Sequence, residues 1–306
     1  MIVLSQAPLP LSNEGDDIAA STRAAIAAGF ELVSLPPELM HVHEVAAALA
    51  DLPARTELTP AVWVGTIPDE AVYRAVDAHL RARSIHLVND PDAHLDVFEF
   101  DRVYPRLADL TARTVAISAV AELADAVAQV GLPVFLKGAL LSRKHSGWAA
   151  CVANTLAEAE AITLGLLRRP YLSRGRVLVR ELLPLRRFTV PASDFPIGRE
   201  YRVFLLHGEP LAHGYYWPYL GEWAQLSGAE EASMLALARA AARRLRTPLV
   251  SVDIGQLEDL RWVVIEVGDP QFSGLSFIDP RALWPALARQ LSRAHGAAGA
   301  PACTLS

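Results

Sequence analysis

Cysteine is nearly absent from this sequence, which has two, Cys151 and Cys303, far apart along the chain. They support neither a disulfide framework nor a cysteine metal site, and a reducing compartment suits them best. The sequence also lacks any run of about 18 uninterrupted apolar residues, so it predicts no membrane span. Its first residues lack the basic start and sustained apolar stretch of a signal peptide. We therefore expect a cytoplasmic protein.

An excess of basic residues is missing as well. The net charge is −6, and no basic stripe of the kind that nucleic-acid binding requires is present. The sequence contains neither the Gly-x-Ser-x-Gly elbow of a serine hydrolase nor a dinucleotide-binding glycine fingerprint. We expect no nucleic-acid partner, and neither of those two classes of enzyme is supported.

The 306 residues, 52% hydrophobic and 20% charged, describe a globular chain large enough for two or three lobes around a cleft. Up to about residue 114, short apolar strands alternate with alanine-rich helices, which predicts an α/β lobe with a mostly parallel sheet. Asp69 and Glu70 open one such helix. The stretch from Asn89 to Asp96, which contains Pro91 and several Asp residues, is predicted to be a turn or loop.

After residue 114 the pattern changes towards α+β. Two strands around a helix are followed by two hairpins that are separated by an amphipathic helix. The predicted strands, helices and hairpins are 133–137, 157–168, 176–182, 200–217, 230–246 and 249–267. We predict an N-terminal lobe at 1–114, a small lobe at 115–184, a C-terminal lobe at 185–295 and a flexible tail at 296–306.

The second hairpin carries candidate metal ligands. Strand alternation places Val250, Val252 and Ile254 on one face and Asp253 on the other; on the returning strand Val263, Ile265 and Val267 form the apolar face opposite Glu266. Asp269 follows in Gly-Asp-Pro, so three carboxylates can converge at one end of the sheet. Such oxygen ligands suit Mg²⁺. The alternative is that all three are ordinary strand and turn residues.

Lysines near the next strand are candidate phosphate ligands. Lys137 ends an apolar strand before Gly138, and Lys144 lies in a polar loop that ends at Gly147. Positive side chains and backbone N–H groups there can meet a polyphosphate, although the loop lacks P-loop spacing. A solvated lysine at a strand end is the common alternative.

Two further strands carry paired charges. Arg180 and Glu181, followed by Leu182, end a strand that can offer backbone groups and a carboxylate to an adenine, or form a surface ion pair. Glu200 and Arg202 share one strand face, where the arginine suits a transferring phosphoryl group. Glu200 is interpreted as the residue that holds Arg202, the alternative being a cross-strand salt bridge of little consequence. The aromatic stretch from His213 to Trp217 is interpreted as packing.

Taken in order, these segments resemble the C-terminal two-thirds of an ATP-grasp enzyme. The matching motifs are Phe135-Leu-Lys137, the loop to Gly147, Val177-Leu-Val-Arg-Glu-Leu182, Arg199-Glu-Tyr-Arg-Val-Phe204, Val252-Asp-Ile254 and Val264-Ile-Glu-Val-Gly-Asp269. The sequence is also similar to a bacterial ATP-grasp subgroup of largely unassigned function, which extends the resemblance back to about Gly65 and onward to Leu275.

The resemblance implies an ATP-grasp fold, in which an N-terminal α/β lobe precedes two lobes that clasp ATP. It further implies a ligase that uses ATP and Mg²⁺ to convert a carboxylate into an acyl phosphate, which an amine attacks to give an amide-type product, ADP and phosphate. The implied roles are phosphate contact by Lys137 and Lys144, adenine contact by Arg180, Glu181 and Leu182, nucleotide binding by Glu200, and magnesium binding by Asp253, Glu266 and Asp269. Arg202, with Lys144, is the implied catalytic group at the γ-phosphate or acyl phosphate.

The sequence departs from the family at two points. The family commonly has Asn where this chain has Asp269, and the phosphate loop has fewer glycines than in many relatives. A kinase of the same fold and a non-catalytic nucleotide-binding protein remain alternatives to the ligase. We expect small-molecule carboxylate and amine partners and no membrane partner. Dimers are common among such enzymes, so a homodimer stays open.

Overall fold

The computed structural model describes residues 1–11, 16–190, 195–219 and 221–298. The predicted flexible tail therefore lies outside the described residues, except for the end of the last helix. The strands are β1 Ile2–Ser5, β2 Glu31–Ser34, β3 Thr59–Val64, β4 Ile85–Leu87, β5 Thr114–Ile117, β6 Val134–Gly138, β7 Val152–Ala153, β8 Val177–Glu181, β9 Arg187–Phe188, β10 Ile197–Gly198, β11 Glu200–Leu206, β12 Glu209–Tyr215, β13 Leu249–Gln256 and β14 Trp262–Gly268. The helices are α1 Asp17–Ala27, α2 Val42–Ala48, α3 Glu70–Arg81, α4 Pro91–Phe98, α5 Phe100–Leu107, α6 Leu123–Val130, α7 Leu156–Leu167, α8 Pro170–Ser173, α9 Gly228–Arg244 and α10 Pro280–Ala298.

Within the described residues, these strands form three four-stranded sheets and one two-stranded ribbon. The first sheet, in the order β2-β1-β3-β4, is parallel, as the alternation of strands and helices predicts. The second, β5-β8-β6-β7, and the third, β12-β11-β13-β14, are antiparallel. The mixed α/β character is confirmed. None of the described helices is long and apolar enough to cross a lipid bilayer.

Helix α4 corrects one sequence prediction. The segment from Asn89 to Asp96 was expected to be a turn or loop, but a helix begins at Pro91. The side chain of Asp90 accepts a hydrogen bond from the backbone N–H of Ala93 at 2.8 Å. Asp and Pro favour turns, and they also favour the cap and the first position of a helix, where an N–H has no partner within the helix. The prediction was therefore wrong because it considered only the first of these two roles.

A β-bulge in β14 corrects a second prediction. Ile254 lies opposite Val264, while Asp253 lies opposite Glu266, so Ile265 is an extra residue on its strand. As a result Val264 and Val267 both pack in the core with Val252 and Ile254, whereas strict alternation predicted Val263, Ile265 and Val267. The prediction for Glu266 still holds, because its partner across the strands is Asp253.

The hydrophobic cores join the predicted lobes. Apolar side chains of α4 and α5, among them Phe100 and Val103, share a core with β11 and β13 of the third sheet. Side chains of α10 pack with β1 and β3 of the first sheet, as Trp284 does against Phe30. Burial of this shared apolar surface holds the N-terminal and C-terminal parts together. The lobe boundaries at 114, 184 and 295 stay predictions.

A buried carboxylate connects α5 to the second sheet. Glu99, just before α5, is 3% exposed and accepts hydrogen bonds from Arg102, Arg174 and Arg176 at 2.7, 2.9 and 2.6 Å. Burial by itself raises the pKa of Glu99, but the hydrogen bonds from Arg102 and Arg174 outweigh burial and hold this pKa below its ordinary value. Ionised Glu99 therefore stabilises the folded protein.

We expect Glu99→Gln to lower the free energy of unfolding at pH 7 by about 2–3 kcal/mol, because charge-assisted hydrogen bonds are lost. A depressed pKa stabilises the fold above the unfolded value of about 4.3, and this contribution disappears as the pH falls through the folded pKa. The difference between wild type and variant in urea unfolding should thus shrink from pH 7 to pH 3. Asp92→Asn, at an exposed ion pair with Arg74, is the control. An equal difference at both pH values would contradict this account.

Candidate nucleotide and magnesium site

A cleft of about 610 Å³ lies between the second and third sheets. Its apolar side is formed by residues such as Ala112, Phe135, Leu182 and Ile265. The charged residues that line it include Lys137, Lys144, Arg180, Glu181, Glu200 and Glu266. The structure thus brings together the residues that the sequence analysis associated with nucleotide binding, except Arg202; their individual roles stay predictions.

A second cleft, of about 1,010 Å³, adjoins the first and shares Ser142, Lys144 and Glu266 with it. Arg202 and Asp253 line this second cleft. Its other walls come from distant parts of the chain, including Ile67, Phe98, Leu140, Tyr216 and Phe272. Because the two clefts share residues, a group bound in the first can approach a molecule bound in the second.

Lys137 lies at the end of β6 and is 1% exposed. Its Nζ donates a hydrogen bond to Oε1 of the half-buried Glu266 and lies 5.9 Å from the centre of the Phe100 ring. Burial lowers the pKa of Lys137, and the charge of Glu266 offsets this only in part. Burial would raise the pKa of Glu266, but the Lys137 charge and hydrogen bond hold it below its ordinary value. The ordinary alternative of a solvated strand-end lysine is excluded by this burial.

Lys144 reaches the boundary between the two clefts. Its Nζ lies 3.9 Å from Oε2 of Glu200 and 5.2 and 5.3 Å from the ring centres of Tyr216 and Trp217. Burial lowers the pKa of Lys144, but the charge of Glu200 outweighs burial, so this pKa is raised and the side chain remains a cation. Its cation–π contacts hold the ammonium group over a defined surface. Its contact with phosphate stays a prediction.

Arg180 and Glu181 end β8, and they differ from the surface pair considered as an alternative. Arg180 is 5% exposed and donates to the carbonyl oxygen of Ile265 at 2.9 Å and to the hydroxyl of Thr111 at 2.9 Å. Burial lowers the pKa of Arg180 to about 10, so it is still charged at pH 7. Glu181 accepts from Nε of Arg113 at 3.2 Å. Arg180 therefore joins the second sheet to β14 beneath the first cleft.

Arg202 is held by Asp253 rather than by Glu200, so the predicted partner was wrong. Its Nε and Nη2 donate to the two carboxylate oxygens of Asp253, each at 2.8 Å, and Nη1 donates to the carbonyl oxygen of Gly274 at 2.7 Å. Glu200 instead accepts from Nε1 of Trp217 at 3.1 Å. This planar, two-point contact fixes the plane of the Arg202 guanidinium.

The three predicted metal ligands are arranged as a pair and one separate residue. Asp253 and Glu266 are opposite each other on β13 and β14 and line the second cleft together. Asp269 is 1% exposed and its Oδ2 lies 2.9 Å from Nδ1 of His94. Among the described residues, no group of three or more His, Cys, Asp or Glu is placed to hold a metal ion. The predicted triad is therefore not assembled in this conformation.

The remaining pair fits Mg²⁺. This ion uses one or two carboxylates and takes its other ligands from water and substrate phosphates. Asp253 and Glu266 provide two neighbouring carboxylates, and Lys137, Lys144 and Arg202 lie around them to receive phosphate oxygens. The identity of the magnesium ligands stays a prediction.

The sequence analysis missed Tyr216, which it assigned to packing. The centre of its ring lies 5.2 Å from Nζ of Lys144 and 4.9 Å from Cζ of Arg202. The signal was present in the hairpin register, because Arg202 pairs with Gly214 and the Tyr216 N–H donates to the carbonyl oxygen of Glu200. Tyr216 therefore shares a sheet face with the two charged residues.

Comparison with known proteins identifies the class. Residues 129–287 match the family model of an ATP-grasp domain, the third family of its clade. This range is slightly more than half of the chain, and the protein belongs to this ATP-grasp family. The predicted ATP-grasp fold is confirmed, and ATP with Mg²⁺, the predicted cofactors, are those of the ATP-grasp class.

Solved structures with the same fold extend over nearly the whole chain. D-alanine–D-alanine ligase from Bacillus anthracis, complexed with ATP, has a TM-score of 0.62 at 12% identity and covers 97% of this chain and 98% of its own. A RimK domain protein of the ATP-grasp type from Sphaerobacter thermophilus has a TM-score of 0.59 at 19% identity, covering 94% and 98%. D-cycloserine synthetase DcsG gives 0.57 at 14%, covering 95% and 99%. No curated protein matches the sequence.

Proposed function

We propose that the protein is an ATP- and magnesium-dependent ligase that activates a small-molecule carboxylate as an acyl phosphate for attack by an amine. One observation carries this proposal: Asp253 and Glu266 lie side by side where the two clefts join, surrounded by cations from three different strands and a loop. Such a site can hold a metal-bound polyphosphate on one side and a second substrate on the other. Most of the stabilisation of the transfer step then comes from position and charge.

The residues of the two clefts divide the work. The first cleft would take the nucleotide, with its adenine against Leu182 and Ile265 and its phosphates near Lys137 and Lys144. Mg²⁺, held by Asp253 and Glu266, would neutralise phosphate charge. Arg202 lies beyond them in the second cleft, where it would stabilise the phosphoryl group as it passes to the substrate carboxylate.

The ion pairs in the site support binding of metal and nucleotide together. Glu266 is paired with Lys137, and Asp253 with Arg202. A polyphosphate that takes over the cations would leave two carboxylates without partners in a poorly solvated cleft, which is unfavourable. A divalent cation would compensate these carboxylates, so we expect nucleotide and Mg²⁺ to increase each other's affinity.

The neighbours of known activity support small-molecule substrates. Two of them are named as a D-alanine–D-alanine ligase and a D-cycloserine synthetase, and the first was solved with ATP. Their fold, and not their substrates, is shared at these identities. We propose amide-type C–N bond formation for this protein on the same basis. The cytoplasmic location and a homodimer stay predictions.

Calorimetric titration with a non-hydrolysable ATP analogue, with and without Mg²⁺, tests the site. For the wild type we expect Mg²⁺ to raise the affinity about tenfold or more, as typical coupling energies allow. The double variant Asp253→Asn with Glu266→Gln should lose this dependence, since its amides are poor ligands for Mg²⁺. A folded wild type that does not bind the analogue would refute the proposal.

Product analysis then separates the ligase from its alternatives. A ligase releases ADP and phosphate together with an amide, only when both a carboxylate and an amine are present. A kinase of the same fold would leave a stable phosphorylated product without free phosphate. Tight binding without ADP release in any combination of substrates would identify a non-catalytic nucleotide-binding protein.

A further inference from the structure

Asp269 uses both carboxylate oxygens for contacts away from the paired carboxylates. Its Oδ2 accepts a hydrogen bond from Nδ1 of His94 at 2.9 Å and from Nε2 of Gln271 at 3.1 Å. Its Oδ1 accepts from the backbone N–H of Gln271 at 3.0 Å. The side chains of Asp269 and His94 are 0% and 1% exposed. Because an ionised carboxylate only accepts, Nδ1 of His94 carries the proton of their bond.

These contacts fasten the loop from Asp269 to Gly274 onto the N-terminal sheet. The side chain of Gln271 accepts from the backbone N–H of Trp63 at 2.7 Å and donates to the hydroxyl of Tyr73 at 2.9 Å. The His94 ring stacks on Tyr73, with ring centres 4.4 Å apart, and on Phe98, at 4.9 Å. A buried network of this kind, with these polar groups paired, holds one arrangement rigidly.

The other end of the same loop contacts Arg202. The hydroxyl of Ser273 donates to the carbonyl oxygen of Asp269 at 2.8 Å, and Gly274 accepts from Nη1 of Arg202 at 2.7 Å. The backbone N–H of Leu275 donates to Oδ2 of Asp17 at 2.8 Å. The loop therefore links the buried histidine on α4 to the arginine of the second cleft.

We propose that His94 and Asp269 are a pair of positioning residues that fix this loop and, through Gly274, the Arg202 guanidinium, and that Asp269 is not a magnesium ligand. The role of Arg202 in transfer rests on the proposed function, whereas the contacts of Asp269 do not. The pair also gives a reason for Asp where the family commonly has Asn. Both oxygens accept, so an amide would turn its N–H₂ towards a donor whichever way it lies.

Two measurements that need no turnover test the pair. Hydrogen exchange of peptides covering 270–276 reports the loop, whose N–H groups at Phe272 and Leu275 are bonded to Asp269 and Asp17. We expect His94→Leu and Asp269→Asn each to speed this exchange about tenfold or more. His94→Asn keeps a donor near the position of Nδ1 and should restore slow exchange. Titration with the ATP analogue and Mg²⁺ should give affinities within about threefold of wild type for all three variants, because coupling is lost at the loop and not at the metal.

Glu266→Gln is the comparison, since it should lose the magnesium dependence while keeping slow exchange of the loop. Loss of magnesium-dependent binding in Asp269→Asn, with normal exchange of the loop in His94→Leu, would show that Asp269 is a ligand and overturn the proposal. With a reactive carboxylate and amine, His94→Leu should lower kcat and leave KM for ATP within about threefold, and His94→Asn should recover most of kcat. A wild type that binds the nucleotide but ligates nothing would refute the proposed function, while exchange and titration would still decide the role of Asp269.

Discussion

Lys137→Met should weaken binding of the magnesium complex of an ATP analogue by at least about 100-fold. A hydrogen bond to a charged group contributes about 1.5–3 kcal/mol, and a lysine that is 1% exposed meets its partner with little competing water. The substitution also leaves Glu266, the present partner of Lys137, as an uncompensated negative charge beside the phosphates. Both effects reduce affinity, and calorimetric titration measures their sum.

The control for this variant is Arg281→Gln, which removes a cation whose side chain is 86% exposed and paired with Asp279 at the surface. Its nucleotide affinity should equal that of the wild type, because a solvated charge at such a distance is screened. A Lys137→Met protein that is folded by circular dichroism and binds the analogue as tightly as wild type would remove Lys137 from the site.

Arg202→Lys should lower the rate of ligation about 100- to 1,000-fold, the range found when one group that stabilises transition-state charge is removed. Lysine keeps the positive charge but cannot make the two-point contact with Asp253 or reach Gly274 at the same time. Its ammonium group is therefore free to leave the position that the guanidinium holds. KM for ATP should change less than about threefold, because Arg202 does not line the first cleft.

Arg244→Lys offers a matched control, because Arg244 also makes a two-point contact with a carboxylate, that of Asp109, but at the surface and outside both clefts. This variant should keep the wild-type kcat and KM. If Arg202→Lys retains full turnover, or if its only defect is weaker ATP binding, then Arg202 does not act on the transferring group and the second cleft needs another catalytic cation.

Order and type of most elements were predictable from local patterns. The parallel first sheet, the two hairpins and helices α3, α7 and α9 follow from periodicity, caps and turns. Several site residues were predictable for the same reason. Asp253 is in a strand whose next neighbours are apolar, so alternation alone separates it from Val252 and Ile254. Lys137 was identified by its place at the end of an apolar strand.

Other features depend on partners that no local pattern names. The bulge at Ile265 exchanged the expected faces of Val264 and Ile265 because two strands had to satisfy their hydrogen bonds in a common register. Arg202 is paired with Asp253, 51 residues away, and not with the nearby Glu200. Helices α4 and α5 belong in part to the core of the third sheet, although the sequence places them with the first.

The sequence by itself determined the ATP-grasp fold, the candidate cations and the two carboxylates that face each other, since each follows from short-range periodicity or from motifs read in order. Only the tertiary structure decided which charges pair, and above all that Asp269 lies against His94, 175 residues distant. The physical reason is that an ion pair or hydrogen bond depends on distance and burial in space, and both are known only after distant segments have packed.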